Sequence, residues 1–205
     1  MTGSADETDL GSAPRKGYFG TNRVRSGREI PIPRLFFTNH YLTVGDELVW
    51  GIDDRDCPVF ALDRTHLKRD WKTVGTQSIR QDHDTPVIQI PGQFFRDFTG
   101  NPQLPEEVRQ KPVREAARVT ERTPFHFIRT PRRGNAYIQL LTWNKLADLP
   151  AERINGLFPE LDQRIEFLST VTYEDCTEYA DAVFDILEHL FGSDVEIPID
   201  HEVNR

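Results

Sequence analysis

The chain has few of the residues that mark secreted, metal-binding or membrane proteins. Among its 205 residues are two cysteines, Cys57 and Cys176, which are too few for a metal cluster or a disulfide framework. The stretch from Met1 to Pro14 lacks the apolar core of a signal peptide, and no apolar run approaches the ~18 residues that span a bilayer. The sequence therefore predicts a cytoplasmic protein with no membrane partner, and it favours unpaired thiols over a disulfide.

The chain also lacks the motifs of common enzymes. It has no P-loop, no G-x-G-x-x-G and no G-x-S-x-G, and its six histidines are scattered. The triplet Asp82-His83-Asp84 and the acidic run 53–56 have no further ligands at metal-binding spacing. Cys57 has no neighbouring base that would activate it. We therefore expect no enzyme activity, no cofactor and no metal.

What the chain does contain is a repeated pattern. The block G-T-x-x-[VI]-R occurs at Gly20 and again at Gly75, an offset of 55, and the block I-x-I-P-x-x-F-F occurs at Ile30 and again at Ile88, an offset of 58. Such repetition predicts two half-domains that complete one core, repeat one at 18–63 and repeat two at 73–142, the second with a charged insertion at 100–121. The alternative is coincidence in a chain rich in proline and phenylalanine. The side chains expected in the core are Ile32, Phe36, Phe37, Ile90, Phe94 and Phe95.

Charge is distributed unevenly along the chain. The formal net charge is −8, and residues 146–205 carry fifteen acidic side chains against three arginines, a balance of −12 that leaves the first 145 residues at +4. We expect a flexible leader at 1–17, a β body at 18–145 and an acidic helical tail at 146–205. This asymmetry is typical of a nucleic-acid surface joined to an acidic appendage, although the acids could serve only to keep the helices soluble.

Apolar spacing predicts two helices in the tail, joined as a helical hairpin. The first covers 150–168, with Pro159 at a kink or a new start, and the second covers 172–191 and opens on a capping box of Thr172 and Asp175. This hairpin should dock either on the β body or on a second copy of the chain. The residues expected to form a partner or homo-oligomer face are Tyr179, Val183, Leu187 and Leu190.

The segment from Arg23 to Trp50 resembles a known family. The run Arg23-Val24-Arg25-Ser26-Gly27-Arg28-Glu29-Ile30-Pro31-Ile32-Pro33, followed by Leu42-Thr43-Val44-Gly45-Asp46-Glu47-Leu48-Val49-Trp50, is similar to the AbrB/SpoVT-like swapped-hairpin family. Two halves in one chain correspond to its MraZ-like arrangement. The resemblance covers about residues 18–142. It implies a fold that is mainly β with α, namely a tandem swapped-hairpin β-barrel body plus the C-terminal helical hairpin.

The resemblance also implies a DNA-binding transcriptional regulator whose partner is double-stranded DNA. Arginines on a hairpin can lie along phosphates, and a two-stranded ribbon fits the major groove. One alternative is that these arginines only form a solvated strand face. Others are a structural or assembly protein, such as a virion or scaffold component, and an antitoxin-like protein-binding module. The predicted DNA contacts are Lys16, Arg23, Arg25, Arg28, Arg34 and Arg80.

Overall fold

The computed structural model describes residues 17–38, 42–91, 123–132 and 135–192. The strands in these ranges are β1 (Gly17–Arg23), β2 (Glu29–Pro31), β3 (Glu47–Ile52), β4 (Pro58–Ala61), β5 (Lys72–Ser78), β6 (Arg80–Asp82), β7 (Thr85–Gln89), β8 (Pro124–Arg132) and β9 (Asn135–Leu141). The α-helices are α1 (Arg34–Thr38), α2 (Trp143–Ala147), α3 (Ala151–Leu157), α4 (Leu161–Thr170), α5 (Tyr173–Glu178) and α6 (Ala180–Phe191). The predicted leader, apart from Gly17, and the insertion at 100–121 lie outside the described residues.

The strands form two antiparallel sheets whose order is symmetric with respect to the two repeats. The larger sheet has the order β1-β8-β9-β4-β3-β5 and the smaller sheet the order β2-β7-β6. Repeat one supplies β1 to β4 and repeat two supplies β5 to β9. Each outer strand of the larger sheet therefore pairs with a strand of the other repeat, β1 with β8 and β5 with β3. The two repeats therefore exchange their first strands within this sheet.

The register of the exchange is the same in both halves of the larger sheet. Adding 55 to the number of a β1 residue gives its counterpart in β5, and subtracting 77 from the number of a β8 residue gives its counterpart in β3. With these two offsets, all five β1–β8 pairs become pairs that are present between β5 and β3. Both ladders carry a bulge at the equivalent place, between Tyr18 and Thr21 in β1 and between Trp50 and Gly51 in β3. The repeat is therefore a structural pseudo-twofold.

Two residue pairs lie on the axis of this pseudo-twofold. Ile30 of β2 pairs with Ile88 of β7, its own counterpart 58 residues later. Val59 of β4 pairs with Gln139 of β9, and these are counterparts too, because they hold the same place in the β3–β4 and β8–β9 hairpins. An antiparallel pair of equivalent residues is symmetric about its own centre, so the axis passes through both pairs.

The first core lies between the two sheets. Of the predicted core residues, Ile32, Phe36 and Ile90 are buried in it, while Phe94, Phe95 and the side chain of Phe37 lie outside the described part of the structure. Burying one large apolar side chain contributes about 1.5–3 kcal/mol. The pairings of the described residues form two sheets and do not show a ladder that closes them into a barrel. The other large members of this core are Phe19, Ile30, Leu42, Leu48, Trp50, Phe60, Ile79, Ile88, Phe125, Phe127, Ile138 and Leu140.

Helices α2 to α6 cover one part of the opposite face of the larger sheet, while Leu67 and Trp71 pack on another part of it against Val59 and Tyr137. Ile128 and Leu141 of that sheet pack against the helices in a second core, because alternate residues of β8 and β9 point to opposite faces. The predicted two-helix hairpin is wrong in detail, since these helices are short and the predicted 172–191 helix is interrupted at Tyr179, whose φ of −129° and ψ of 31° are not helical. The described residues therefore form a mixed α/β fold with comparable helix and strand content, and α2 begins inside the predicted β body.

The residues predicted to bind a partner are part of this second core. Val183, Leu187 and Leu190 are at most 2% exposed, and Tyr179 is partly buried against the same cluster. This face is covered by the chain's own sheet and helices, so it cannot serve a second copy while the tail is docked. Of the two docking outcomes expected from the sequence, the structure has the tail on the β body.

Candidate nucleic-acid interface

The smaller sheet extends at both edges to an arginine. The backbone N–H of Arg25 donates to the carbonyl oxygen of Glu29 at 2.7 Å, which makes an isolated antiparallel bridge. At the other edge Arg80 pairs with Val87. The offset of 55 relates Arg25 to Arg80, and the offset of 58 relates Glu29 to Val87. The two pairs are therefore equivalent, and Arg25 and Arg80 hold equivalent positions. We call residues 25–31 and 80–89 the ribbon.

The turn at residues 26–28 is held against the end of β7 by hydrogen bonds to its backbone carbonyl groups. Gly27 and Arg28 have φ values of 75° and 67°, in the left-handed region that favours glycine. The side-chain amide of Gln89 donates to the Gly27 carbonyl at 3.0 Å, and the Ile90 N–H donates to the Arg28 carbonyl at 2.9 Å. Arg28 is therefore held at a defined place beside Arg25.

Both edge arginines form ion pairs with a carboxylate of the other repeat. Arg25 Nη1 lies 3.4 Å from Asp82 Oδ2, and Arg80 Nη2 lies 3.7 Å from Glu29 Oε1. The arginine side chains are 48% and 52% exposed. Exposed pairs of this kind contribute about 0–1 kcal/mol, so a phosphate could replace either carboxylate at little cost.

Arg23 is engaged by the tail. Its Nη2 atom lies 2.8 Å from Asp175 Oδ1 and 3.4 Å from Glu174 Oε2. In this structure the guanidinium group of Arg23 pairs with carboxylates of α5, and the predicted contact of Arg23 with DNA stays a prediction. No pattern near Arg23 in the sequence could have indicated this, since Asp175 is 152 residues away.

Two of the predicted DNA contacts remain, Arg34 and Lys16. Arg34 is exposed at the first position of α1, and Lys16 lies outside the described residues. Of the six predicted residues, Arg25, Arg28 and Arg80 therefore lie in the ribbon, with Arg25 and Arg80 at its opposite edges.

A buried polar cluster joins the tail to the sheet. Asp175 is 2% exposed; besides the Arg23 guanidinium it accepts the Trp143 indole N–H at 3.0 Å and the Thr172 hydroxyl at 2.6 Å. The Thr172 hydroxyl in turn accepts the Asp175 N–H, which completes the capping box predicted for α5. A buried carboxylate needs such donors to offset its desolvation.

His126 adds a second buried polar group that the sequence analysis missed. Its Nδ1 lies 3.1 Å from the Tyr18 hydroxyl, and its Nε2 is buried without a hydrogen-bond partner among the described residues. Burial lowers the pKa of His126 from 6.5 to about 3 and raises the pKa of Tyr18 above its ordinary value. The sequence contained no signal for this residue, because His126 lies outside the repeated blocks and its counterpart, Val49, is identified only by the ladder register of the structure.

A third polar group lies at the twofold axis. The Gln139 amide donates to Asp53 Oδ2 and its oxygen accepts from Arg153 at 2.9 Å, while Asp53 Oδ1 accepts the N–H groups of Arg55 and Cys57. This network ties the β3–β4 turn and α3 to β9. The acidic run 53–56 therefore orders a turn.

The described residues also show how possible metal ligands and the two thiols are placed. They contain no group of three or more His, Cys, Asp or Glu side chains arranged to hold a metal ion. Burial raises the pKa of Cys57 to about 12, which disfavours its thiolate. Cys57 and Cys176 are free thiols.

Comparison with protein-family models, with curated proteins and with solved structures found no match to this chain. In the described part of the chain, no helix combines the length and the apolar character needed to cross a membrane.

Proposed function

We propose that this chain is a DNA-binding regulator of the tandem AbrB/SpoVT-like type, with its two half-domains closed into one swapped-hairpin barrel. The observation that carries the proposal is the pseudo-twofold itself, with Arg25 and Arg80 at equivalent edges of the ribbon and Ile30 paired with Ile88 at its centre. A B-form duplex has local twofold axes, and regulators with twofold symmetry use them to place equivalent side chains on equivalent phosphates.

The chemistry of the ribbon supports phosphate binding at its two edges. Arg25, Arg28 and Arg80 supply fork-shaped donors that suit phosphate oxygens. Arg25 and Arg80 are paired with their present carboxylate partners by exposed ion pairs, so contact of these two residues with DNA replaces weak interactions. The ribbon also carries Glu29, Asp82 and Asp84, which balance the three arginines. We therefore expect modest affinity that falls steeply with salt.

Arginine-to-alanine variants test the proposal. Arg25→Ala and Arg80→Ala should each weaken binding to a labelled mixed-sequence duplex by about tenfold, because each removes a charge-assisted hydrogen bond. Each should also reduce the slope of log affinity against log salt by about 0.9. Fluorescence anisotropy between about 50 and 200 mM salt measures both quantities.

Arg69→Ala is the matched control, since Arg69 is exposed and lies outside the ribbon. It should leave both quantities unchanged. Absence of wild-type binding to any duplex at the lowest salt would rule out the proposed function, as would equal effects of the ribbon variants and Arg69→Ala.

A structural or assembly protein is the second candidate. It is favoured by the pairing of both edge arginines with carboxylates, which leaves the ribbon without net positive charge. The same anisotropy experiment separates the two, because an assembly protein has no salt-dependent affinity for the duplex.

A further inference from the structure

Helix α4 carries a row of apolar side chains that runs from the second core into solvent. Leu161 is 63% exposed and Ile165 is 52% exposed. They are four residues apart, so they are neighbours on one face of the helix. Leu168 continues this row and is partly buried against the second core. An apolar partner placed on Leu161 and Ile165 would therefore extend that core outwards.

A row of carboxylates lies beside the apolar row. Asp162 and Glu166 each follow one of its exposed members in the sequence, so they form a parallel row about 100° around the helix. Both are exposed. Glu160, the N-cap residue of α4, is also exposed. The outer surface of α4 thus has an apolar stripe and an acidic stripe side by side.

The arginines of this part of the chain are engaged by neutral acceptors. Residues 148–192 contain two arginines and no lysine. Arg164, the basic residue of α4, donates to the backbone carbonyl oxygens of Phe158 at 2.9 Å and Leu190 at 2.7 Å. Arg153 of α3 donates to a side-chain amide oxygen of β9 at 2.9 Å. The charge that α4 presents to solvent is consequently negative.

From this pairing of an apolar row with an acidic row, we infer that α4 is the docking site for a basic amphipathic helix of another protein. The apolar side chains of that helix cover Leu161 and Ile165, and its lysine or arginine side chains meet Asp162 and Glu166. Helix α4 of a second copy fits poorly on the same face, because a twofold contact would bring like charges together. The inference goes beyond the proposed function, since α4 and the ribbon lie on opposite sides of the larger sheet.

The test uses a designed probe and the full-length chain. The probe is a labelled peptide of about 18 residues, long enough to form a helix, with leucines on one face and lysines on the other. A matched peptide has glutamate in place of every lysine. Fluorescence anisotropy at low salt should detect binding of the lysine peptide and none of the glutamate peptide. Binding of the lysine peptide should weaken as salt is added, because the carboxylates are exposed.

Variants of the chain locate the binding face. Ile165→Ser should weaken binding of the lysine peptide about tenfold, because it removes an apolar contact. Glu166→Gln should weaken it about two- to fivefold. Val44→Ser and Asp84→Asn are the matched controls, since Val44 is 48% exposed in the turn before β3 and Asp84 is exposed in the ribbon. Both controls should keep the wild-type affinity, and thermal melts establish that all four variants are folded.

Three results would overturn the inference. The first is failure of the lysine peptide to bind the wild-type chain, and the second is equal affinity of the α4 variants and the controls. The third is a wild-type dimer in sedimentation velocity that Ile165→Ser dissociates, because this would assign the face to a second copy. Each of these results leaves the proposed function standing, since duplex binding is measured separately on the ribbon variants.

Discussion

At the scale of single residues, the two repeats differ most where the tail meets the sheet. Tyr18 and His126 contact the helical core, whereas their counterparts in the other half are Thr73 and Val49. The register alignment identifies these positions once it is known, but the sequence alone gives only the two short repeated blocks. The equivalence of Arg25 and Arg80 could be predicted because each of them ends a copy of the first block. The contact of Arg23 with Asp175 could not, because the two residues are far apart in the sequence.

His126 should make the stability of the protein depend on pH. Its pKa is about 3 in the folded chain and about 6.5 when unfolded. Between these values the unfolded chain binds more protons, so His126 destabilises the fold as pH falls from about 6.5 towards 3, by about 1.4 kcal/mol per pH unit. Urea unfolding of wild type and His126→Val at several pH values measures the difference in slope.

The variant His83→Ala serves as the control, since the side chain of His83 is 95% exposed, and it should retain the wild-type slope. His126→Val should lose about one proton of pH dependence in this window. Equal slopes for wild type and His126→Val would contradict the assignment of a neutral buried imidazole.

At the scale of elements, the sequence predicted features that depend on neighbouring residues but not those that depend on tertiary contacts. The capping box of Thr172 and Asp175 could be predicted from the sequence because it depends on residues three apart. The break at Tyr179 was not, because the apolar spacing of 172–191 continues across it and packing against the sheet decides the orientation of each short helix. Likewise the end of β5 at Ser78 depends on a tertiary contact, since the next N–H, that of Ile79, donates to the carbonyl oxygen of Asp46.

Removing the cap of α5 should destabilise the whole fold. Thr172→Ala deletes the hydroxyl that accepts the Asp175 N–H and donates to the Asp175 carboxylate, and loss of such a cap costs about 1–2 kcal/mol. Chemical denaturation measures this decrease in the free energy of unfolding. Thr177→Ala is matched in chemistry and helix, but its exposed hydroxyl bonds only backbone carbonyls of the preceding turn. A loss from Thr172→Ala no larger than that from Thr177→Ala would show that the cap is dispensable.

At the scale of the whole molecule, the sequence predicted two cooperating repeats but placed the tail outside them. The repeats were visible because equivalent backbone positions require similar residues, such as the Ile30 and Ile88 pair at the axis. The predicted division at residue 145 follows a change in composition, whereas the packing continues across it. Trp143 already lies in the second core, and the apolar sheet face that it covers belongs to β8 and β9. The tail is therefore part of the same folding unit.

Deletion of the tail should abolish cooperative folding. A chain ending at Thr142 exposes Ile128, Leu141 and Cys57, which are each at most 2% exposed in the intact protein, and it leaves the buried His126 facing water. It also loses the helical half of the second core, and every large side chain so removed takes about 1.5–3 kcal/mol of burial with it. A domain is typically stable by only about 5–15 kcal/mol.

We expect the chain 1–142 to melt without a sharp transition by circular dichroism and to bind a hydrophobic dye. The control is a chain that ends at Gly192 and keeps all the described residues, and it should melt as the full-length protein does. A sharp melt of 1–142 at the full-length temperature would show that the strand-exchanged sheets are an independent domain and that the tail only rests on them.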